Sequence, residues 1–443
     1  MPSIAGRHIV SVFDLTDDEI EGVFRLADRF LLALQQGPLS LVRAKPRARA
    51  TKRAGADAIG RICANQILAT VFHEPSTRTR LSFEAAMQRL GGRVISVADA
   101  RTSSAAKGER LSDTIRVIAG YADAIVLRHP NEGSALLAAE SLNRDCLAEI
   151  GRRVPVINGG DGAHEHPTQT LCDLYTIRRD HKKIAGLKVA LYGDLLHART
   201  AHSLAYGLAR FGAEIKCISA PELRLPGYVK RRLELEFDSV PAEYDSFRQL
   251  VDPARQDVIY AAGKSKQRAA RPLPLQNRGR DPIGRVLDAV YVTRLQKERF
   301  REPALAEAVR GSYMIDKGVL DRIGRRTTIM HPLPRVNEVD FAVDTDRRAA
   351  YFRQASYGIP VRMALLALLL GRKKLRKAAD EPPRRRAIRS EVGEWVRGAQ
   401  CANQTCVTNC EAGLEAHMEK TRDPNLLRCR YCDEELDLSE ELG

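Results

Sequence analysis

The stretch Ile67-Leu-Ala-Thr-Val-Phe-His-Glu-Pro-Ser-Thr-Arg-Thr-Arg-Leu-Ser-Phe-Glu-Ala-Ala-Met-Gln-Arg-Leu-Gly-Gly92 sets an apolar strand directly before an amphipathic helix. Ile67–Phe72 reads as the strand, Pro75 and Ser76 end it, and Ser76 or Thr77 can cap the helix that follows. Phe83, Met87 and Leu90 fall at i, i+4 and i+7, a buried helical face, and Gly91-Gly92 stop the helix. The unpaired N–H groups of a first helical turn, together with the helix dipole, favour an anion on the axis. Hydroxyls at Ser76, Thr77 and Thr79 add donors, and the planar fork of Arg78 suits a phosphate. Taken alone, the same residues also describe an ordinary capped surface helix with scattered arginines.

Outward from this unit the alternation continues. Arg93–Val97 reads as a strand, Leu111–Tyr121 as a helix, and Ala124–Leu127 as a strand running into Arg128. A second block starts with a strand at Val154–Asn158 and a helix at Pro167–Arg179. Strands at Leu187–Tyr192 and Ile215–Ser219 follow, with a helix from Arg199 to Phe211 between them. Alternating βα units imply a mostly parallel, helix-covered sheet in each block. Leu187 to Ser219 has the outline of a nucleotide-binding half, but its turn, Gly193-Asp-Leu-Leu-His-Ala-Arg199, lacks the glycine spacing that lets a pyrophosphate approach the backbone. No organic cofactor is expected, and the ligand is expected in a cleft where strand ends of the two blocks face one another.

The chain has 443 residues, enough for two or three domains, and 44% of them are hydrophobic. No apolar run is long enough for a membrane span, Met363–Leu370 suiting a buried helix instead, and the first residues lack a signal peptide's apolar core. A soluble cytoplasmic protein is expected. The formal net charge of +15 concentrates in residues 41–53, 264–285 and 372–389, stretches without helical or strand periodicity. Charge confined to loops and a linker leaves the folded body nearly neutral, so nucleic acid is not expected as the main partner. Cys63, Cys146, Cys172 and Cys217 are isolated and read as small core residues in a reducing compartment.

Ser76-Thr-Arg-Thr-Arg80 resembles the carbamoyl-phosphate signature of the aspartate and ornithine carbamoyltransferases. Leu127-Arg-His-Pro130, His166-Pro-Thr-Gln169, Thr293-Arg-Leu-Gln-Lys-Glu-Arg299 and His331-Pro-Leu-Pro-Arg335 follow in the order of that family. The resemblance implies that Ser76, Thr77, Arg78 and Thr79 hold the phosphate. It places Arg78, Thr79, Arg128 and His166 near the carbonyl oxygen, and Gln169 with the carbonyls of Pro332 and Leu333 on the carbamoyl amide. A lone histidine such as His166 is usually a satisfied core residue; its position before Pro-Thr-Gln at a strand-to-helix turn favours the site. In the family a neighbouring subunit completes each active site with a Ser and a Lys, and Arg101-Thr-Ser-Ser-Ala-Ala-Lys-Gly-Glu109 supplies Ser103 and Lys107. Ala106 departs from the pattern, standing where many members carry a second basic residue. The implied assembly is a homotrimer or a higher assembly of trimers with shared sites.

A dicarboxylate acceptor needs several cations, whereas ornithine's ammonium needs an acidic or polar pocket. Arg199, Arg294 and Gln296 fit the first, and His-Pro-Leu-Pro stands where ornithine-specific members typically read His-Cys-Leu-Pro. The implied substrates are carbamoyl phosphate and L-aspartate, as in pyrimidine biosynthesis. The alternatives are a carbamoyltransferase for another amino acid, or an inactive scaffold or nucleic-acid-binding paralogue.

Cys401-x4-Cys406, twenty-two residues, then Cys429-x2-Cys432 is a four-thiolate zinc pattern, closed by sulfur and therefore structural; Cys410 is a spare. Its context resembles the zinc domain of the aspartate carbamoyltransferase regulatory chain, here fused after the catalytic part. That chain's nucleotide-binding domain does not fit in residues 371–400, so the module is expected to serve assembly and stability. The expected fold is α/β, with two doubly wound parallel-sheet domains and a small zinc-ribbon-like domain. The expected boundaries are 1–153 for carbamoyl phosphate, 154–356 for aspartate, 357–370 for a helix closing back on the first domain, 371–397 for a basic linker, and 398–443 for Zn2+.

Overall fold

A computed structural model describes residues 3–35, 58–97, 108–251, 287–296, 314–321, 323–375, 395–396, 398–421 and 423–438. Ser103 and Lys107, the basic stretches 41–53 and 264–285, and most of 372–389 lie outside the described residues. The chain divides into two compact units, Met1–Cys172 with Tyr357–Gly443, and Asp173–Ser356.

In the first unit, helix α1 (Asp17–Gln35) precedes β1 (Ile67–Phe72), α2 (Thr77–Arg89), β2 (Arg93–Val97), α3 (Leu111–Tyr121), β3 (Ala124–His129), α4 (Ser134–Ile150) and β4 (Val156–Asp161). The four strands form a parallel sheet in the order β2-β1-β3-β4. Ile9 extends it by pairing with Ile157 on the outer side of β4. The order reverses between β1 and β3, and in open α/β sheets the ligand crevice lies at the carboxyl ends of such a pair. Phe83, Met87 and Leu90 are fully buried, so the periodicity of α2 does face the core.

The boundary expected at residue 153 needs correction. The strand near 154 pairs with β3, because its side chains are buried on both faces by the first unit, and the unit runs on through Cys172. Strand β3 likewise continues through Arg128 and His129, which pair with Phe72 and Asp161. Arg128 therefore projects from the sheet itself.

The second unit holds β5 (Lys188–Tyr192), α6 (Arg199–Arg210), β6 (Glu214–Ile218), α7 (Gly227–Phe237), β7 (Ala242–Tyr244), α8 (Phe247–Val251), β8 (Ala289–Val292), α9 (Lys317–Leu320) and β9 (Thr328–Met330). Its parallel sheet runs β7-β6-β5-β8-β9, reversing between β5 and β8. Two helices pass from unit to unit within the chain, α5 (Pro167–His181) and α10 (Tyr351–Leu369). Helix α10 starts six residues before the expected Tyr357, because Ala350 and Tyr351 are themselves core residues of the second unit.

The C-terminal module is a four-stranded antiparallel sheet of β10 (Trp395–Val396), β11 (Met418–Lys420), β12 (Leu426–Cys429) and β13 (Glu435–Asp437), with a short helix α11 (Val407–Cys410). It begins three residues before the expected 398, since Trp395 and Val396 pair with Glu419 and Met418. The module is continuous with the first unit: Val407, Met418, Leu427 and Tyr431 share one apolar core with Leu111, Ile115, Ala135 and Ala138. No described helix is long and apolar enough to cross a membrane.

Candidate active site and metal centre

The carboxyl ends of β1 and β3 gather the first set of side chains. Ser76 stands at the N-cap of α2, yet its hydroxyl makes no cap hydrogen bond. Capping is thus not what fixes this helix start, contrary to the expectation for Ser76. Thr77 and Arg78 are exposed on the first turn, while Thr79 is buried with its hydroxyl 3.2 Å from Nε2 of His166. His166 is 4% exposed and opens α5, its carbonyl accepting from the N–H groups of Gln169 and Thr170. Its Nδ1 lies 3.5 Å from the hydroxyl of Thr168, which fixes the ring from the other side.

Arg128 donates to the carbonyl of Gly159 at 3.1 Å and pairs with Glu74 at 2.6 Å. Thr79 and His166 are in contact, Arg128 stands at the carboxyl end of β3, and Gln169 lies half-buried one turn into α5. Arg362 of α10 was not foreseen. It is 4% exposed, stacks its guanidinium 4.9 Å over Phe83 and donates to Thr168 at 3.4 Å. Glu74, between β1 and α2, carries no sequence signal for its pairing with Arg128. Behind the strand ends, the His73 and His129 rings pack 5.1 Å apart. Burial, then the His73 neighbour, brings His129 down to about 4, so it is neutral at physiological pH.

The second set sits at the carboxyl ends of β5 and β8. Gly193 has φ +113°, and a Cβ there would stand 2.6 Å from the Thr293 carbonyl oxygen. Only glycine lets the two strand ends come this close. The buried Asp194 carboxylate accepts from the N–H groups of His197 and Gln296, each at 3.1 Å, and faces the His197 ring. Gln296 in turn donates its amide to the His197 carbonyl at 2.6 Å. With the Arg199 N–H donating to the His197 carbonyl at 3.1 Å, these bonds tie the start of α6 to Gln296 beyond β8. In the sequence Asp194 and His197 show only as a turn lacking glycines, and their structural part in the site carries no further signal there.

After β9, buried His331 accepts from Leu333 N–H at 2.7 Å and contacts Glu338 at 2.8 Å. Glu338 also receives the N–H groups of Val336 and Asn337. Burial alone would raise the Glu338 pKa, but the His331 bond and charge and the backbone donors outweigh it and leave it lowered. The result is a rigid turn bearing Pro332 and Leu333, with Leu333 in the left-handed region at φ +56°.

In the C-terminal module the sulfurs of Cys401, Cys406, Cys429 and Cys432 all lie within 4.8 Å of one another. The Cys401–Cys432 and Cys406–Cys429 separations are 3.4 and 3.8 Å. A tetrahedral site with metal–sulfur bonds of about 2.3 Å spaces its sulfurs by about 3.8 Å, so the four thiols fit a metal ion. The Thr408 hydroxyl donates to the Cys406 sulfur at 3.2 Å, a supporting contact to the set. Cys410 is exposed and outside it. Cys63, Cys172 and Cys217 are buried as expected, and burial pushes the Cys63 thiol up to about 12.

Residues 7–179 match the carbamoyl-P binding domain of the aspartate/ornithine carbamoyltransferases, and residues 185–369 match their Asp/Orn binding domain. Residues 396–441 match the metal binding domain of the aspartate carbamoyltransferase regulatory chain. The aspartate carbamoyltransferase catalytic subunit of Methanocella arvoryzae is 42% identical over 366 residues, covering 82% of this chain and 97% of the relative. That of Thermoplasma acidophilum is 40% identical over 369 residues, covering 83% and 99%. The solved catalytic subunit from Methanocaldococcus jannaschii superposes with a TM-score of 0.64 at 42% identity, covering 82% of this chain and 98% of that one. A Trypanosoma cruzi aspartate transcarbamoylase in complex with carbamoyl aspartate and phosphate gives 0.65 at 28% identity, covering 84% and 99%. The chain belongs to the aspartate/ornithine carbamoyltransferase family, among the aspartate carbamoyltransferase catalytic subunits, and carries in cis a metal-binding domain of the regulatory-chain kind.

Proposed function

We propose that the chain transfers the carbamoyl group of carbamoyl phosphate to the amine of L-aspartate, giving N-carbamoyl-L-aspartate and phosphate for pyrimidine biosynthesis. The observation that carries the reading is the buried Thr79–His166 pair at the β1/β3 reversal, where Arg128 stands at the carboxyl end of β3. The amine lone pair attacks the carbonyl carbon, the carbon–oxygen bond to phosphate breaks, and phosphate leaves with that electron pair and takes up the proton the amine gives up. Ser76, Thr77, Arg78 and Thr79 take the phosphate at a helix N-terminus. Arg128, Thr79 and His166 stabilise the negative charge that builds on the carbonyl oxygen. Gln169 and the carbonyls of Pro332 and Leu333 orient the amide, while Arg199, Arg294 and Gln296 take the acceptor's carboxylates. Orientation and fixed charge supply the acceleration without a covalent intermediate.

Ser103 and Lys107 come from a neighbouring subunit, which makes the working form a homotrimer or an assembly of trimers. The ion in the four-thiolate site is Zn2+, structural rather than catalytic because sulfur fills every position. The setting is the cytoplasm. Steady-state phosphate release with aspartate and with ornithine tests the acceptor. Turnover with ornithine and not aspartate overturns it, and no turnover with any amine leaves the scaffold reading. Mixing inactive Lys107→Ala and Arg78→Ala chains restores activity if sites are shared; mixed assemblies that stay inactive show that each site is built from one chain.

A further inference from the structure

The turn that delivers His166 is held by residues far away in the sequence. Between β4 and α5, the Ala163 N–H donates to Glu132 at 3.0 Å, and His164 lies 3.2 Å from Asp161 on one nitrogen and 3.2 Å from Asp433 on the other. Both outside partners lead to the metal module. Glu132 is buried and receives the side chains of Asn403 and Thr405, while its backbone brackets Cys406 through Thr405 O and Val407 N–H at 3.0 and 2.8 Å. Asp433 follows Cys432 directly, in the left-handed region at φ +61°, with its N–H bonded to the Cys429 carbonyl at 2.9 Å. The metal-ligand loop therefore sets where the Asp433 carboxylate stands.

The contact has no slack. A Cβ on Gly162 would stand 2.3 Å from Glu132 Cγ, and one on Gly133 would stand 2.5 Å from Tyr431 Cβ. Both glycines also have positive φ, +50° and +82°. A simple docking surface needs apolar burial and peripheral ion pairs, and the module has those elsewhere, in Tyr431 and Arg430 on Glu140. The bonds of Glu132 and Asp433 instead end on Ala163 and His164, three and two residues before His166.

We infer that the metal module is part of the catalytic apparatus in cis: Asp433 and Glu132, placed by the four-cysteine loops, position the Ala163–His164 turn and through it His166. Asp433, His164 and Glu132 are positioning residues, and the inference rests on the reading of His166 as the group that meets the carbonyl oxygen. Misplacing such a group by about 1 Å costs on the order of a hundredfold in rate, and a looser turn costs less. In the full-length, metal-loaded protein, Asp433→Ala is expected to lower kcat about tenfold with unchanged metal content and assembly. Asp433→Asn, which keeps an acceptor for His164, restores most of that loss. His164→Gln, which leaves the module untouched, shows the same loss, and the double variant loses no more than either single one. Glu140→Gln, which loosens the module away from the turn, leaves kcat within twofold. The inference is overturned if Asp433→Ala and His164→Gln both retain kcat with metal bound, if their losses multiply, or if Glu140→Gln matches them. Full activity in His166→Ala instead overturns the functional reading beneath it.

Discussion

Two histidine turns among the described residues, those of His331 and His166, differ in what holds them. His331 after β9 is fixed by Glu338, seven positions on, by the Leu333 N–H of the same loop, and through its own N–H by Gln354 of α10. The turn leading into His166 is held at Ala163 by Glu132, at His164 by Asp433 far along the chain, and at Glu165 by the Ser11 hydroxyl, which donates at 2.7 Å. A turn closed within its own unit does not depend on the metal module. A turn closed by remote residues makes its chemistry conditional on them, and the fused metal module is placed to exploit that condition.

The largest effect expected bears on the charge beside the remote turn. Arg128→Ala should lower kcat by about a hundredfold to a thousandfold, the usual cost of removing a donor to a developing oxyanion, read in initial rates at saturating substrates. An effect below tenfold would move the oxyanion contact to another residue. Next comes the metal. Cys429→Ser should abolish stoichiometric metal, measured by elemental analysis, and unfold the module, because in small thiolate domains metal binding supplies much of the folding free energy. The comparison then predicts about a tenfold loss in kcat through the remote turn, while the KM for aspartate stays within about twofold, since the local turn depends on nothing in the module.

The local turn can be broken separately. Glu338→Gln should cost roughly 1–3 kcal/mol in denaturant unfolding, because it weakens a buried, charge-assisted acceptor for His331 and two N–H groups. Its pH dependence has a definite sign. The Glu338 pKa is lowered in the fold, so its contribution is fully present above the ordinary value of 4.5 and is lost as pH falls through the folded value. The variant should lack that acid-side slope. The smallest effect concerns Ser76→Ala. A capping serine contributes about 1 kcal/mol, but this hydroxyl caps nothing, so stability should change by less than about 0.5 kcal/mol while the KM for carbamoyl phosphate rises severalfold.

What the sequence made legible follows the same division. The strand–helix unit at 67–92, the apolar face of α2 and the Cys pairs were readable because each is a local pattern with its own period or spacing. Thr79, His166 and Arg128 belong to three separate motifs, and the parallel sheet order explains why those motifs share one end of the sheet: strands β1 and β3 lie side by side at the reversal, with β4 leading into His166. Three features escaped for one reason. The true edge of the first unit depends on β4 pairing with β3, Arg362 reaches Thr168 from almost two hundred residues away, and Asp433 reaches His164 from farther still. No local periodicity encodes a partner at that distance. Asp194 was close at hand, but its part lies in accepting backbone N–H groups, which leaves no mark in residue type beyond a common turn acid.

The central claim is that this site forms a bond between the carbamoyl carbon and the amine of aspartate. Carbon-13 NMR of the purified protein with carbamoyl phosphate labelled at its carbonyl carbon, in the presence of aspartate, tests it directly. The account predicts that the label moves into a single ureido carbon of N-carbamoyl-aspartate, one for each phosphate released. Label that appears only as hydrolysis products, or that stays in carbamoyl phosphate, would contradict it.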